Sequence, residues 1–273
     1  MEAASATAPA PAAVVPPAWR TNLATIAALM VRAKNELVRV PGAAIPGVLA
    51  PTIFFLGLNG VFGALTHLQG FGSTGTYESF IVPVSMLQGA GFTGAAAGVN
   101  LARDYEQGWV DRLLVSPAPR WVLLAGNVLA ASARALLPGT FVLVIALALG
   151  ASFPGIDGLL VTYLMVAAMA AVAACWGSAL ALHFKSQSAA PLMQAGMMAL
   201  VLLTPAYAPE ALLEGWLRKV AEINPVTDVV EAARQGFVGS VTWADTWPGL
   251  LALAGMLAVL GAIALREMRR TNV

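Results

Sequence analysis

Gly177-Ser178 offers a nucleophilic serine and His183, five residues on, the nearest base, but no carboxylate accompanies the pair. A serine hydrolase needs a base held by a third group, so this pattern does not make one. A phosphate-cradling loop needs Gly-Lys-Ser/Thr, and no Gly-Lys dipeptide occurs. The chain therefore has no P-loop with which to hold ATP. One cysteine, Cys175, makes an internal disulfide framework impossible, and with only His67 and His183 beside it there is little to build a metal centre. Fifteen Lys and Arg against fourteen Asp and Glu leave a net charge of +1, too balanced for a nucleic-acid binder.

Two segments keep charged and apolar residues at helical spacing. In 102–117, Trp109, Val110, Leu113 and Leu114 fall at i, i+1, i+4 and i+5 and share one face of a short helix. Glu106, Asp111 and Arg112 occupy the other face, and Pro117 disfavours helical geometry at Ser116 and closes the segment. Spacing alone leaves two readings open: a solvated loop helix or a partner-docking helix. In 207–246, Leu212, Leu213, Trp216, Leu217, Val220 and Ile223 form one stripe. Asn224-Pro225 interrupts it, and Val229, Val230, Ala233 and Phe237 form a second. Two short amphipathic helices are expected, lying against a leaflet or dipping between spans; periodicity does not separate the two.

The elements that must position these segments follow from composition. Apolar residues make up 59% and charged residues 11%, against about 25% charged in an average soluble domain. The apolar excess is blocked into stretches without Asp, Glu, Lys or Arg: 40–77, 79–102, 135–156, 158–184, 186–209 and 246–265. The shortest holds 20 residues, and about 20 apolar residues cross the hydrocarbon core as a helix. Helices are expected near 44–66, 80–101, 134–152, 158–182, 188–206 and 247–265. The uncharged pattern of the third already begins after Pro119, so that helix is expected to project from the membrane, with Arg134 near the inner headgroups or facing an internal cavity. Several spans contain proline, which membrane helices tolerate where neighbours satisfy the freed carbonyls. Gly94-x-x-x-Gly98 is a helix-contact motif. No carboxylate lies in any expected span, so the coupling site of an ion-driven transporter is missing.

Before the spans, residues 1–18 are Ala and Pro with almost no charge and are expected to be a disordered leader. From Trp19, Leu23, Ile26, Met30, Leu37 and Val38 alternate with Arg20, Arg32, Lys34 and Arg39 at helical spacing. That pattern predicts an amphipathic helix in the membrane interface, broken at Pro41-Gly42. Twelve of the fifteen basic residues fall on one side of the expected spans, which places both termini in the cytoplasm. Arg218, Lys219 and Arg234 are the exceptions, in the long 207–246 loop. The fold class is an all-α, multi-pass protein of the cell membrane with six transmembrane helices, residues 19–273 forming one permease domain.

The loop Arg103-Asp104-Tyr105-Glu106-x-Gly108-x-x-Asp111-Arg112-Leu113-Leu114-x-Ser116-Pro117 resembles that of the ABC-2 type permeases. Within them, Pro209-Glu210, Gly215-Trp216-Leu217, Ala221-Glu222-Ile223-Asn224-Pro225-Val226-Thr227 and Ala232-x-Arg234 are similar to the outer-loop signature of daunorubicin-resistance-type drug exporter subunits. The similarity runs from Trp19 to the C-terminus. It implies a coupling helix at about 104–116, carried by Asp104, Glu106, Gly108, Trp109, Asp111, Arg112, Leu113, Leu114 and Ser116 and seated in a cleft of a separate ATP-binding subunit. The apolar face would fill that cleft, Glu106 would meet a donor there, and Gly108 would let backbone approach closely. In the 207–246 extracellular loop the implied motif residues are Asn224, Pro225, Thr227 and Arg234. The resemblance further implies two ATPase copies, which hold the ATP and Mg, and a second permease copy as homodimer or related heterodimer. No cofactor binds this chain directly, its surroundings are the lipid bilayer, and no nucleic acid is involved. The expected cargo is an amphiphilic drug-like or lipid-like molecule moved outward. Alternatives are export of a lipid-linked glycan or glycolipid, and a non-transporting immunity or sensor subunit on the same fold. An adjacent ATPase gene favours transport, an adjacent sensor kinase gene the last.

Overall fold

A computed structural model describes residues 17–39, 41–64, 76–114 and 118–270, and only the backbone of 36–38, 41–46, 111, 112 and 114. Most of the expected leader, His67 and Ser116 lie outside the described residues. Ten α-helices follow one another: α1 (Ala18–Arg39), α2 (Pro41–Phe62), α3 (Tyr77–Glu106), α4 (Trp109–Leu114), α5 (Arg120–Ala148), α6 (Gly155–Phe184), α7 (Ala190–Leu202), α8 (Gly215–Ile223), α9 (Pro225–Val238) and α10 (Trp243–Arg270). The protein is an all-α polytopic membrane protein. Among the described residues, α3, α5, α6 and α10 are long and apolar enough to cross a bilayer.

Polar contacts sort the helix ends into two layers. Arg32–Asp104, Arg103–Gln187, Arg120–Met268 and His183–Glu267 lie at one end, here the basic end. Asn59–Glu78, Ser152–Ser79 and Thr162–Ala233 lie at the other. Helices α2, α3, α5, α6, α7 and α10 therefore run alternately up and down between the layers. Helix α3 is the buried axis. Phe80, Ile81, Val82, Val84, Met86 and Leu87 are all enclosed, and α2, α5, α6, α7 and α9 pack around it. The outer surface is the reverse of a soluble protein's: Ile53, Phe141, Val144, Leu160, Leu251 and Val259 are exposed large apolar side chains, as a bilayer solvent requires.

The closest contact in this bundle is between α3 and α6. A Cβ on Gly177 would lie 3.0 Å from the Ala95 carbonyl oxygen and 3.1 Å from Gly98 Cα, and one on Gly98 would overlap the Gly177 backbone. A Cβ on Gly94 would likewise strike Ala170 and Ala173. The Gly94-x-x-x-Gly98 pair thus works as expected, letting two backbones meet where lipid offers no hydrophobic drive for association.

Three boundaries differ from expectation. Helix α2 starts at Pro41, because a proline at the first helical position forfeits only an amide that has no intrahelical partner anyway. The expected coupling helix at 104–116 is split: Asp104 and Glu106 close α3, and only Trp109–Leu114 form α4. The helix expected at 188–206 shortens to α7, 13 residues long, about 20 Å at 1.5 Å per residue against a hydrocarbon core of about 30 Å. Pro205 disfavours helical geometry at Thr204, whose hydroxyl bonds back to the Val201 carbonyl at 2.7 Å.

Gly98→Val should cost at least 1–3 kcal/mol, the usual price of overpacking, and should lower the thermal midpoint of the detergent-purified protein. Gly255→Ala in α10, where an added Cβ meets nothing within 4 Å, should leave the midpoint unchanged or raise it. Equal midpoints for the two variants would contradict the α3–α6 contact.

Candidate functional site

At the basic end α3 stops because Gly108 takes φ +68°, a left-handed conformation open to glycine at little cost. Its amide donates to the Tyr105 carbonyl at 2.9 Å. An added Cβ would meet nothing within 4 Å in this chain, so within the chain it is backbone handedness that this position requires. The turn swings α4 beneath the end of α3.

Asp104 and Trp109 are then both within reach of α1. Arg32 Nη2 donates to both Asp104 oxygens, at 3.1 and 3.0 Å, and the guanidinium lies 3.7 Å from the Trp109 ring centroid. The ion pair is partly exposed, so alone it contributes no more than about 1 kcal/mol; the stacked cation adds a contact of similar size. Val110 is buried, and Leu113 packs against Leu123, Leu124 and Met268. Val110 and the half-buried Leu113 therefore find apolar cover within this chain, from α1, α5 and α10.

Glu106 is also engaged within the chain. Its Oε1 accepts from the Gln187 amide at 2.8 Å and its Oε2 from Gln187 Nε2 at 2.6 Å, while Arg103 Nε donates to Gln187 Oε1 at 3.3 Å. Lys185, in a left-handed conformation at the end of α6, sets its Nζ 5.2 Å from the Tyr105 ring centroid. The α6–α7 connection is thereby seated on the end of α3. Asp111, Arg112 and Leu114 lie on α4 with only their backbone described. Arg32 and Gln187 were missed in the sequence because their partners lie 72 and 81 residues away and neither sits in a motif.

The second group, Asn224, Pro225, Thr227 and Arg234, lies at the opposite end. Asn224 Oδ1 accepts from the Val226 amide at 3.0 Å and caps the start of α9, with Pro225 at the first helical position. The same amide donates through Nδ2 to the Leu200 and Leu203 carbonyls at 2.7 and 3.0 Å, capping the end of α7. Thr227 Oγ1 donates to the Ala221 carbonyl at 2.7 Å and holds α8 to α9. Arg234 is buried, donating to the Phe80, Pro205 and Ala206 carbonyls at 3.1, 3.0 and 2.9 Å with its guanidinium 3.7 Å from the Phe80 ring centroid. Each member of this motif terminates a helix or ties one to another. Among the described residues no cluster of three or more His, Cys, Asp or Glu is placed to hold a metal.

A bundle of long apolar helices, a charged corner carrying a short helix and a capped helical pair at the other end define a multi-pass membrane protein. The chain belongs to the ABC-2 type transporter family, whose profile matches residues 24–238. It is similar to the probable multidrug ABC transporter permease YbhR of Escherichia coli K12, 26% identical over 200 residues. That match covers 71% of this chain and 53% of YbhR, so the similarity spans about half the relative's length. It is also similar to the daunorubicin resistance ABC transporter permease protein DrrB1 of Streptomyces coeruleorubidus, 23% identical over 261 residues, covering 94% of this chain and 90% of that protein. The sequence itself carries no Gly-Lys dipeptide and so no P-loop.

Asn224→Ala should destabilise the protein by about 1–2 kcal/mol, the usual cost of a lost cap. Asn224→Asp keeps the acceptor for Val226 but loses the donor to α7 and sets a charge against its carbonyls, so it should be at least as damaging. Thermal unfolding of the two variants in detergent checks this; an aspartate as stable as wild type would contradict the α7 cap.

Proposed function

We propose that this chain is the membrane-spanning subunit of an ATP-powered exporter, with the α3–α4 corner as the landing site for a separate ATP-binding subunit. The observation that carries the reading is the wiring of that corner. Arg32 ties α1 to Asp104 of α3 and Trp109 of α4, and Glu106 ties α3 to the α6–α7 connection through Gln187. A displacement of α4 is thereby passed to several helices at once. The partner meets the exposed rim, Arg103, Glu106 and Gln107, rather than the buried Val110.

The basic-residue bias supports a cytoplasmic position for this corner and for both termini. Six crossings are proposed, by α2, α3, α5, α6, α7 and α10, with α8 and α9 capping the short α7 from the outer side and α1 lying in the inner interface. ATP and Mg belong to the partner, in two copies facing two permease chains. The similarity to a probable multidrug permease and a daunorubicin resistance permease supports an amphiphilic drug-like cargo moved outward.

Topology is tested by single cysteines in a Cys175→Ala background. Thr242→Cys should react with an impermeant thiol reagent on intact cells, and Gln107→Cys only after permeabilisation. Labelling of Gln107→Cys in intact cells would reverse the proposed orientation.

Coupling is tested by Glu106→Ala and Arg32→Ala, which should leave insertion intact while lowering ATPase co-purification and export together, by about tenfold where an anchoring contact is lost. Leu212→Ala, on the opposite end, should spare both. Normal ATPase binding and normal export in the Glu106→Ala, Leu113→Ala double variant would refute the landing site.

A further inference from the structure

A cavity of about 90 Å³ opens between α1, α3, α4 and α5 at the basic end. It is too small for a drug-sized molecule, whose sites run to about 300–1,000 Å³, and its lining is unlike that of an apolar packing defect. Arg32, Arg103 and Arg134 reach it from three different helices, with Asn100 and Asn127 between them. One carboxylate, Asp104, is present, and it is already held by Arg32. Charge in the cavity is therefore net positive. The remaining wall is apolar, formed by Leu29, Leu123, Leu124 and Met268 among others. Outside it, α5 continues as an exposed apolar face through Leu129, Leu137 and Phe141.

We infer that this cavity is a binding site for the headgroup of an anionic phospholipid. The size suits a phosphodiester, the guanidinium forks match its oxygens, and the Asn100 amide offers a neutral donor. Asn127 Nδ2 already donates to Ser178 Oγ at 3.1 Å. The apolar wall and the outer face of α5 take the first carbons and then the length of an acyl chain. Arg134, more than three turns into α5, draws the phosphate below the surface layer where exposed basic residues attract anionic lipid without selection. A lipid seated there bridges α1 and α5 behind α4 and stiffens the corner from the membrane side. The site goes beyond the exporter reading and does not depend on it.

Native mass spectrometry of the full detergent-purified chain tests the site, with dioleoyl phosphatidylglycerol, dioleoyl phosphatidylcholine and inorganic phosphate as separate probes. Wild type should retain phosphatidylglycerol about tenfold better than phosphatidylcholine, the factor of one charge-assisted contact. Arg134→Gln should bring the ratio near parity, Arg134→Lys should keep most of it, and Arg218→Gln at the opposite end should change nothing. If Arg134→Gln does not fold, Arg103→Gln at the exposed mouth decides and should lower the ratio. An unchanged ratio in Arg103→Gln and in every folded Arg134 variant overturns the site. Displacement of the lipid by millimolar inorganic phosphate would overturn the lipid as occupant and leave a free-anion site.

Discussion

Gly98 of α3 and Gly177 of α6 meet backbone against backbone, with room for no carbon between them. The bundle is built around that pair, with α2, α5, α7 and α9 packed on the remaining faces of α3 and α10 leaning on α6. In lipid the apolar faces of these helices gain nothing by leaving the solvent, since acyl chains are as apolar as leucine. Association must come from close packing, and that depends on small residues: Gly94, Gly98, Ala170, Ala173 and Gly177 line the crossing. Leucine-rich surfaces are left to face outward.

The second constraint acts at the helix ends. A backbone carbonyl or amide left bare away from water costs far more than a hydrogen bond returns. The short α7 exposes this directly, since its last carbonyls end inside the protein. Asn224 takes those of Leu200 and Leu203, and Arg234 takes those of Pro205 and Ala206 in the turn beyond. Burial pulls the Arg234 guanidinium below its ordinary pKa, yet a guanidinium remains a cation in a protein, and the Phe80 ring covers its face. The motif Asn224-Pro225-x-Thr227 with Arg234 is thus a cap shared by α7, α8 and α9, and it lets a 13-residue helix end where it does.

Much of this was legible before the structure. Uncharged blocks marked α3, α6 and α10 to within a few residues, whereas α5 runs from Arg120 to Ala148 against the block 135–156. The break at Asn224-Pro225 separated α8 from α9. What the sequence does not carry is tertiary context. The face of Trp109, Val110 and Leu113 was visible as a face, but periodicity cannot say what covers it, and Val110 and Leu113 find cover from α1, α5 and α10 of the same chain. Gly108 was legible as a turn residue, but its left-handed φ of +68° was not. Arg32 was legible only as part of the amphipathic α1 pattern and Gln187 sat in no motif, for their partners are brought close only by the antiparallel stacking of helices far apart in the chain.

The contacts within the chain constrain how the basic corner can act. A helix whose Val110 is buried at home, whose tryptophan is stacked under Arg32 and whose neighbouring carboxylate holds Gln187, has little freedom to slide. Force applied at its charged rim passes into α1, α3 and the α6–α7 connection without first being absorbed by a hinge at Gly108. The glycine supplies the bend, and the side-chain contacts on both sides of it supply the stiffness. In the proposed exporter the corner is therefore a lever built into the permease, and the ATP-binding subunit needs only to push on it.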